Sequence, residues 1–418
     1  MRILHCSWEY PPIVYGGLGR HVHALAEHQA QLGHDVVVLT QGSGDLPGEE
    51  RIHGVRIVRV PQDAPLVELS ETNLMAWVFG FNSALTRAGI ALERDWRPDI
   101  VHGHDWLVAQ AATALKDLFS TAYVTTMHAT EAGRHQGWLP TPLSKAIHSV
   151  EWWSTYQARR VITCSEHMRW EVQRLFDTPR TKTIVIPNGV DPAHLRVRPA
   201  ATRQIQEKFG DVDIVFSGRL EWEKGVHILI EAMRRIRKSA PHTTLVIAGR
   251  GSTEDALRRD VRKYRLGKNV RFAGWLPEPQ LHALVRRARV AAVPSIYEPF
   301  GIVALEAAAL GTPLVVANSG GLAEFVTTGV SGRVVEPGDP DALAGALIDA
   351  LRDVRTSRRM ARSAKQRVVA DYGWSAIAAQ TAEAYSHAIR DERKLLTPMG
   401  AQTMPVKEGN LLRLNHGT

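Results

Sequence analysis

The residues best suited to chemistry lie in Ser295-Ile-Tyr-Glu-Pro-Phe-Gly-Ile-Val-Ala-Leu-Glu306. Two carboxylates, Glu298 and Glu306, stand eight positions apart around Pro299, Phe300 and Gly301. The apolar run 290–293 before them reads as a buried strand, and 302–310 after them reads as a helix. A strand, a glycine-containing loop and a helix in that order leave free backbone N–H groups at the helix start, which attract an anion, typically a phosphate. In that setting Glu298 lies in the loop and Glu306 about one turn into the helix. One carboxylate is suited to accept hydrogen bonds from a sugar, the other from a ribose diol. The plainer alternative is a pair of solvated surface acids.

A second group follows the strand 214–217. In Ser217-Gly-Arg-Leu-Glu-Trp-Glu-Lys-Gly225, the cations Arg219 and Lys224 precede a helix. Arg and Lys beside a helix N-terminus suit a diphosphate through charge-assisted hydrogen bonds. A surface ion pair with Glu221 or Glu223 is the alternative. Near the amino terminus, Gly16-Gly-Leu-Gly19 follows the first strand and opens the first helix. A dinucleotide fingerprint needs Gly-x-Gly-x-x-Gly and an acid closing the second strand. Here Val22 occupies the third glycine position and the second strand ends Leu39-Thr40-Gln41, so the loop reads as a phosphate or sugar cradle, not an NAD site.

His128 closes the strand 122–127 and can donate a hydrogen bond to a sugar hydroxyl; a satisfied core histidine is the competing reading. Asp105 begins a helix, where a simple N-cap is the competing role. Two Asp-x-Asp pairs, Asp211/Asp213 and Asp339/Asp341, precede a strand and a helix respectively. Neither sits at a strand's carboxyl end, so no metal site is expected.

The elements that must position these groups alternate along the chain. Continuous apolar runs (2–7, 35–40, 98–102, 122–127, 161–164) suit strands buried on both faces of a parallel sheet. Helical patterns separate them, and after the turn-rich Pro187-Asn-Gly-Val-Asp-Pro192 the alternation resumes. The pattern predicts α/β architecture twice over. The boundaries follow: a first domain over 1–190, a second over 191–374, a final helix over 375–392, and a flexible tail over 393–418.

With 418 residues the chain exceeds one typical domain. Its net charge of +8 is unevenly spread: −2 over residues 1–190 and +10 over the rest. Much of the excess is in 351–369, where seven basic residues face one acid, Asp353; a solvated helix face is the expected reading. Cys6 and Cys164 stand in apolar runs and imply a reducing, cytoplasmic setting without a disulfide framework. No apolar run approaches the length of a membrane span, and the start of the chain lacks a secretory h-region.

Gly16-Gly17-Leu18, His128, Arg219 with Lys224, and Glu298-x7-Glu306 together resemble the retaining glycosyltransferases of family four, over roughly residues 1–392. The resemblance implies a GT-B fold: two Rossmann-like domains with parallel sheets facing across a cleft, the last helix crossing back to the first. It implies a metal-independent reaction and no cofactor, the nucleotide-sugar being a substrate. In those terms Arg219 and Lys224 grip the donor diphosphate, Glu306 takes the ribose hydroxyls, Glu298 contacts the transferred sugar, and His128 touches it from the other domain. Gly16, Gly17 and the backbone of Phe300, Gly301, Ile302 and Val303 complete the donor cradle; Asp105 and Glu131 fall on the acceptor side.

Within the family, Ser7-Trp-Glu-Tyr-Pro-Pro12, Val101-His-Gly-His-Asp-Trp106 and His128-Ala-Thr-Glu-Ala-Gly-Arg-His135 look most like glycogen-synthase-like α-1,4-glucosyltransferases of actinobacterial glycogen and methylglucose-polysaccharide synthesis. Val14 stands where starch and glycogen synthases proper have lysine, which leaves UDP-glucose and ADP-glucose both open as donors. The expected acceptor is a glucan or related oligosaccharide, with no nucleic-acid partner. The rival reading is a lipid-acceptor enzyme resembling phosphatidylinositol mannosyltransferases, with a GDP-mannose donor and peripheral membrane contact. The charge of −2 over the first half argues mildly against it.

Overall fold

Val36, Val37, Val38 and Leu39 are all fully excluded from solvent. Consecutive residues of a strand point to opposite faces, so both faces of this sheet are covered. Truncating Leu39 to alanine would cost ~2–5 kcal/mol. The computed structural model describes residues 1–61, 67, 69–192, 195 and 197–396. The strands of the first half are β1 (Arg2–Cys6), β2 (Asp35–Gln41), β3 (Glu49–Ile52), β4 (Val55–Val60), β5 (Ile100–His104), β6 (Ala122–Met127), β7 (Arg160–Thr163) and β8 (Thr183–Val185). They form one sheet in the order β3-β4-β2-β1-β5-β6-β7-β8, parallel except for β3 against β4.

The second half carries β9 (Ile214–Ser217), β10 (Leu245–Ala248), β11 (Val270–Gly274), β12 (Val290–Val293), β13 (Leu314–Ala317) and β14 (Arg333–Val335). Their order is β11-β10-β9-β12-β13-β14, parallel throughout. The molecule is thus a pair of parallel-sheet α/β domains. In each sheet one central strand is flanked by strands whose connections leave in opposite directions: β1 between β2 and β5, β9 between β10 and β12. Loops leaving the carboxyl ends of such neighbours splay apart and open a crevice. The candidate site residues all leave these two places, except His128, which follows the adjoining β6, and Glu131, a few residues further on.

The helix Trp374–Leu396 packs against the helix Gly17–Gln31 of the first half. Tyr385 is its fully buried anchor, accepting a hydrogen bond from Gln29 Nε2 at 3.2 Å. Further along, Glu392 and Asp391 pair with Arg159 and Arg160. This helix runs through residues 393–396, part of the stretch read as a flexible tail; the remainder of that stretch, 397–418, lies outside the described residues.

Three of the elements that escaped the apolar pattern show why. Strand β3 reads Glu-Glu-Arg-Ile and is mostly exposed, the charged composition typical of a sheet edge. The helix Pro199–Phe209 begins with proline at its first position, where the missing N–H costs nothing, and buries only Ala201, Ile205 and Phe209. Strand β14 has three residues, all half-buried. The fourth long strand is also displaced: β5 starts at Ile100, two residues after Pro98.

Candidate active site

On the second-half wall, two loops are stitched together. Gly225, after the turn Trp222–Lys224, has φ of +68°, and a Cβ there would lie 2.0 Å from the carbonyl oxygen of Pro294. Only glycine allows that approach. The carbonyl of Glu223 accepts from the N–H of Ile296 at 2.8 Å. The stitching brings Lys224 Nζ to 2.8 Å from Glu298 Oε2, and Ser295 Oγ donates to the same oxygen at 3.0 Å. Glu298 is 7% exposed, so this is a desolvated, hydrogen-bonded ion pair, not a solvated acid. Gly301, with φ of +101°, starts the helix Ile302–Leu310, whose first N–H groups are free of capping side chains.

Arg219 is not joined to that pair. Its guanidinium donates to Glu223 at 3.1 Å and is partly exposed, the ion-pair alternative weighed above. Glu221 instead accepts from the backbone N–H of Ser252 at 3.1 Å. A cavity of about 330 Å³ lies between Arg219, Glu221, Trp222 and Glu223 on this wall and Arg134 and His135 on the other.

On the first-half wall, Glu9 organises the glycine loop: its Oε2 accepts from the N–H of Tyr15 at 2.8 Å and of Gly16 at 2.9 Å. Burial pushes its carboxyl up, and the N–H groups of Tyr15, Gly16 and Gly19 pull it back. Asp105 is no N-cap. It has φ of +60°, its side chain caps nothing in the turn that follows, and its Oδ1 accepts from the N–H of His128 at 2.7 Å. It therefore ties the end of β5 to the end of β6. Burial pushes Asp105 up to about 6, against the His128 N–H and the nearby Arg134 guanidinium. His128 is half-buried, and desolvation holds its imidazole down at about 3, so it is neutral at ordinary pH. Glu131 pairs with His135 at 3.2 Å at the end of a four-residue helix capped by Thr130.

The two walls touch. Arg20 pairs with Glu306 across the cleft. A Cβ on Gly17 would come within 2.9 Å of Ile302 Cδ1. Tyr297, from the second wall, accepts from the N–H of Thr130 at 3.1 Å and donates to Glu171 at 2.9 Å. Ser165 Oγ donates to the carbonyl of Pro299 at 2.7 Å. The Glu-x7-Glu segment is thus the seam between the halves: Tyr297, Pro299, Ile302 and Glu306 all reach the first wall.

Two sheets joined this way, with glycine loops and cations at both crevices, match known proteins along nearly the whole chain. Residues 15–194 match the family described as Glycosyltransferase Family 4, and residues 198–367 that described as Glycosyl transferases group 1. A glycogen synthase of Mycobacterium tuberculosis is 45% identical over 405 residues, covering 94% of this chain and 96% of its own. The chain belongs to the family 4 glycosyltransferases. Sucrose-phosphate synthase from Thermosynechococcus elongatus superposes with a TM-score of 0.80 at 27% identity, covering 93% and 99% of the two chains. HepE from Anabaena, solved with UDP-glucose, shares the fold with a TM-score of 0.73 at 20% identity, covering 93% and 100%. The architecture is therefore GT-B, and the enzyme class is sugar transfer.

Several residues of this glycosyltransferase were not legible as site residues. Arg20 follows the glycine loop and reads as an ordinary helix cation; only the opposite wall makes it the partner of Glu306. Glu9 and Ser295 act through local hydrogen bonds that no spacing rule announces. Arg134 is half-buried beside Asp105, Glu223 and Glu131, which hold its charge against burial. The two Asp-x-Asp pairs have structural work: Asp213 binds the N–H of Thr244 and pairs with Arg289, Asp339 caps its helix, and Asp341 pairs with Arg235. Among the described residues, no helix is long and apolar enough to cross a membrane.

Proposed function

We propose that this family 4 glycosyltransferase moves glucose from UDP-glucose or ADP-glucose onto an α-1,4-glucan or related oligosaccharide, with retention at the anomeric carbon and without a divalent ion. The observation that carries the reading is the desolvated Lys224–Glu298 pair at the carboxyl end of the second sheet, on the segment whose Ile302 meets Gly17 of the first wall. Identity of 45% to a glycogen synthase supports the glucan acceptor, and the HepE complex supports a nucleotide-glucose donor. The site divides at the boundaries read from the sequence: residues 1–190 carry the acceptor wall, 191–374 the donor wall, and 375–392 tie the ends together. The setting is cytoplasmic.

In this reading Lys224 and Arg219 neutralise the donor diphosphate, helped by the N–H groups of Ile302 and Val303 beside Phe300 and Gly301. Glu306 leaves Arg20 to take the ribose hydroxyls. Glu298, fixed by Lys224 and Ser295, accepts from hydroxyls of the transferred sugar. Gly16 and Gly17 let the backbone approach, His128 meets the sugar from the first wall, and Asp105 and Glu131 shape the acceptor side. The acceptor hydroxyl attacks the anomeric carbon on the face the leaving group departs from. A carbon–oxygen bond forms, the bond to the phosphate oxygen breaks, and the hydroxyl proton passes to that phosphate. Charge developing on the diphosphate is met in place, and removing one such donor typically costs ~10²–10³ in rate.

The test is a donor panel of UDP-glucose, ADP-glucose, GDP-mannose and UDP-N-acetylglucosamine against maltooligosaccharides and glycogen. Elongated α-linked products from a glucose donor are expected. Mannose transfer confined to a lipid extract overturns the reading.

A further inference from the structure

Five histidines from both sides of the first crevice form a cluster, four of them buried: His5 on β1, His21 on the helix Gly17–Gln31, His102 and His104 on β5, and the half-buried His128 after β6. The side chains of His5, His102 and His104 are fully buried, and His21 is 5% exposed. Burial holds the imidazoles of all five below their usual range. A neutral imidazole has one N–H and one lone pair, and the hydrogen bonds around the cluster decide which nitrogen carries which.

His102 is saturated: Nδ1 lies 2.6 Å from Tyr385 Oη and Nε2 2.7 Å from Thr126 Oγ1. Tyr385 accepts from Gln29 Nε2, which turns the Gln29 carbonyl toward His5. His5 Nε2 donates to that carbonyl at 2.7 Å, so His5 Nδ1 accepts from His104 Nε2 at 3.0 Å. The lone pair of His104 is therefore on Nδ1. His21 donates from Nδ1 to Asn188 Oδ1 at 2.7 Å, which leaves its lone pair on Nε2, a buried atom with no partner among the described residues.

Three ring nitrogens, one each from His21, His104 and His128, lie within 4.8 Å of one another. His104 Nδ1 and His128 Nε2 are 3.3 Å apart. Two nitrogens bound to one tetrahedral ion at about 2.0–2.1 Å are separated by ~3.3 Å. His128 is half-buried, so the trio has an opening to solvent, unlike the saturated trio of His5, His102 and His104. The far nitrogens of His21 and His104 already donate to Asn188 and His5, the outer partners that orient metal-binding imidazoles.

We propose that His21, His104 and His128 form a three-imidazole site for a divalent transition ion of the zinc class, with its fourth position open. Neutral nitrogen ligands select zinc, cobalt, nickel or copper over magnesium and calcium. Binding needs one rearrangement: the proton on His128 Nε2 moves to Nδ1, so no net proton is released. The ion clamps the first helix to the ends of β5 and β6. It lies on the first wall and takes the His128 imidazole that meets the sugar in the proposed reaction, so ion and donor sugar compete there; the ion takes no part in the transfer, whose charge is carried by Arg219 and Lys224.

The test uses the full chain, stripped with chelator and desalted. Zn²⁺ titration by calorimetry is expected to give one saturable site, Co²⁺ the intense visible absorption of a tetrahedral ion, and Zn²⁺ a raised Tm. His21→Gln is expected to abolish both the site and the Tm rise. Asn188→Ala, which removes only an outer partner, is expected to weaken affinity about 10–100-fold. Circular dichroism of each variant before titration identifies a folded chain. Absence of saturable one-to-one binding in the wild type overturns the proposal. So does binding equally tight in folded His21→Gln, since the ion then sits elsewhere.

Discussion

Lys224 Nζ lies 2.8 Å from Glu298 Oε2, and both side chains are largely withdrawn from water. The pair joins the loops that leave β9 and β12, so one contact both closes the donor wall and fixes a carboxylate for a sugar. Its stability and its chemistry should separate on mutation. Removing one partner strands a desolvated charge, a loss of ~3–5 kcal/mol where burial is complete. Lys224→Met is expected to lower both stability in urea and kcat, the latter by ~10²–10³. The double variant Lys224→Met/Glu298→Leu is expected to recover most of the stability and none of the turnover. Recovery of turnover would mean that the pair is only a staple.

Arg20 pairs with Glu306 across the cleft. A ribose that needs the same carboxylate must displace it. Partly exposed pairs are worth ~0.2–1 kcal/mol, so Arg20→Ala is expected to tighten nucleoside-diphosphate binding by about 1.4–5-fold. Calorimetry with UDP and ADP measures it. Weaker binding instead would identify Arg20 as a phosphate ligand.

Legibility followed physical range. The alternating apolar runs announced both parallel sheets, because strands covered on two faces have no polar residues to hide them. The loop–helix segment of Glu298 and Glu306 was legible because glycine and the helix start are local features. What depends on a distant element was not: the capture of Glu306 by Arg20 and the approach of Ile302 to Gly17 across the cleft, and the Asp105 bond to the N–H of His128 between two strand ends. Each joins residues far apart in sequence with no periodicity between them. Elements with little apolar content, such as β3 and the helix Pro199–Phe209, were lost for the same reason that edge and surface positions tolerate charge.

Gly17 faces Ile302 across the seam, with room for a hydrogen and little more. The obstructing atom is the end of a flexible side chain, so Gly17→Ala is expected to be mild. Gly17→Val, with a branched side chain, is expected to hold the walls apart and raise the donor KM with little change in Tm. Ile302→Ala combined with Gly17→Val restores the room and is expected to return KM toward the starting value. Steady-state kinetics of the three variants checks this. An unrepaired KM in the double variant would mean that the glycine serves the loop backbone and not closure.

Glu27 lies on the far side of the first helix, away from the cleft, and reports on folding alone. Its Oε1 faces His23 Nε2 at 2.9 Å and His53 Nδ1 at 2.6 Å, His53 being at the turn between β3 and β4. Burial works to raise its carboxyl, but the bonds from His23 and His53 outweigh it and hold Glu27 at about 2, below the ordinary 4.5. The folded chain therefore binds fewer protons here than the unfolded chain between those values, and stability rises with pH across that window. The contribution is complete above about 4.5 and is lost as pH falls toward 2. Glu27→Gln has no carboxyl to titrate. Its urea midpoint is expected to lie below wild type at pH 6, and the difference to shrink steadily as the pH is lowered from 4.5. A constant difference across that range would mean that the two histidines do not hold the charged form.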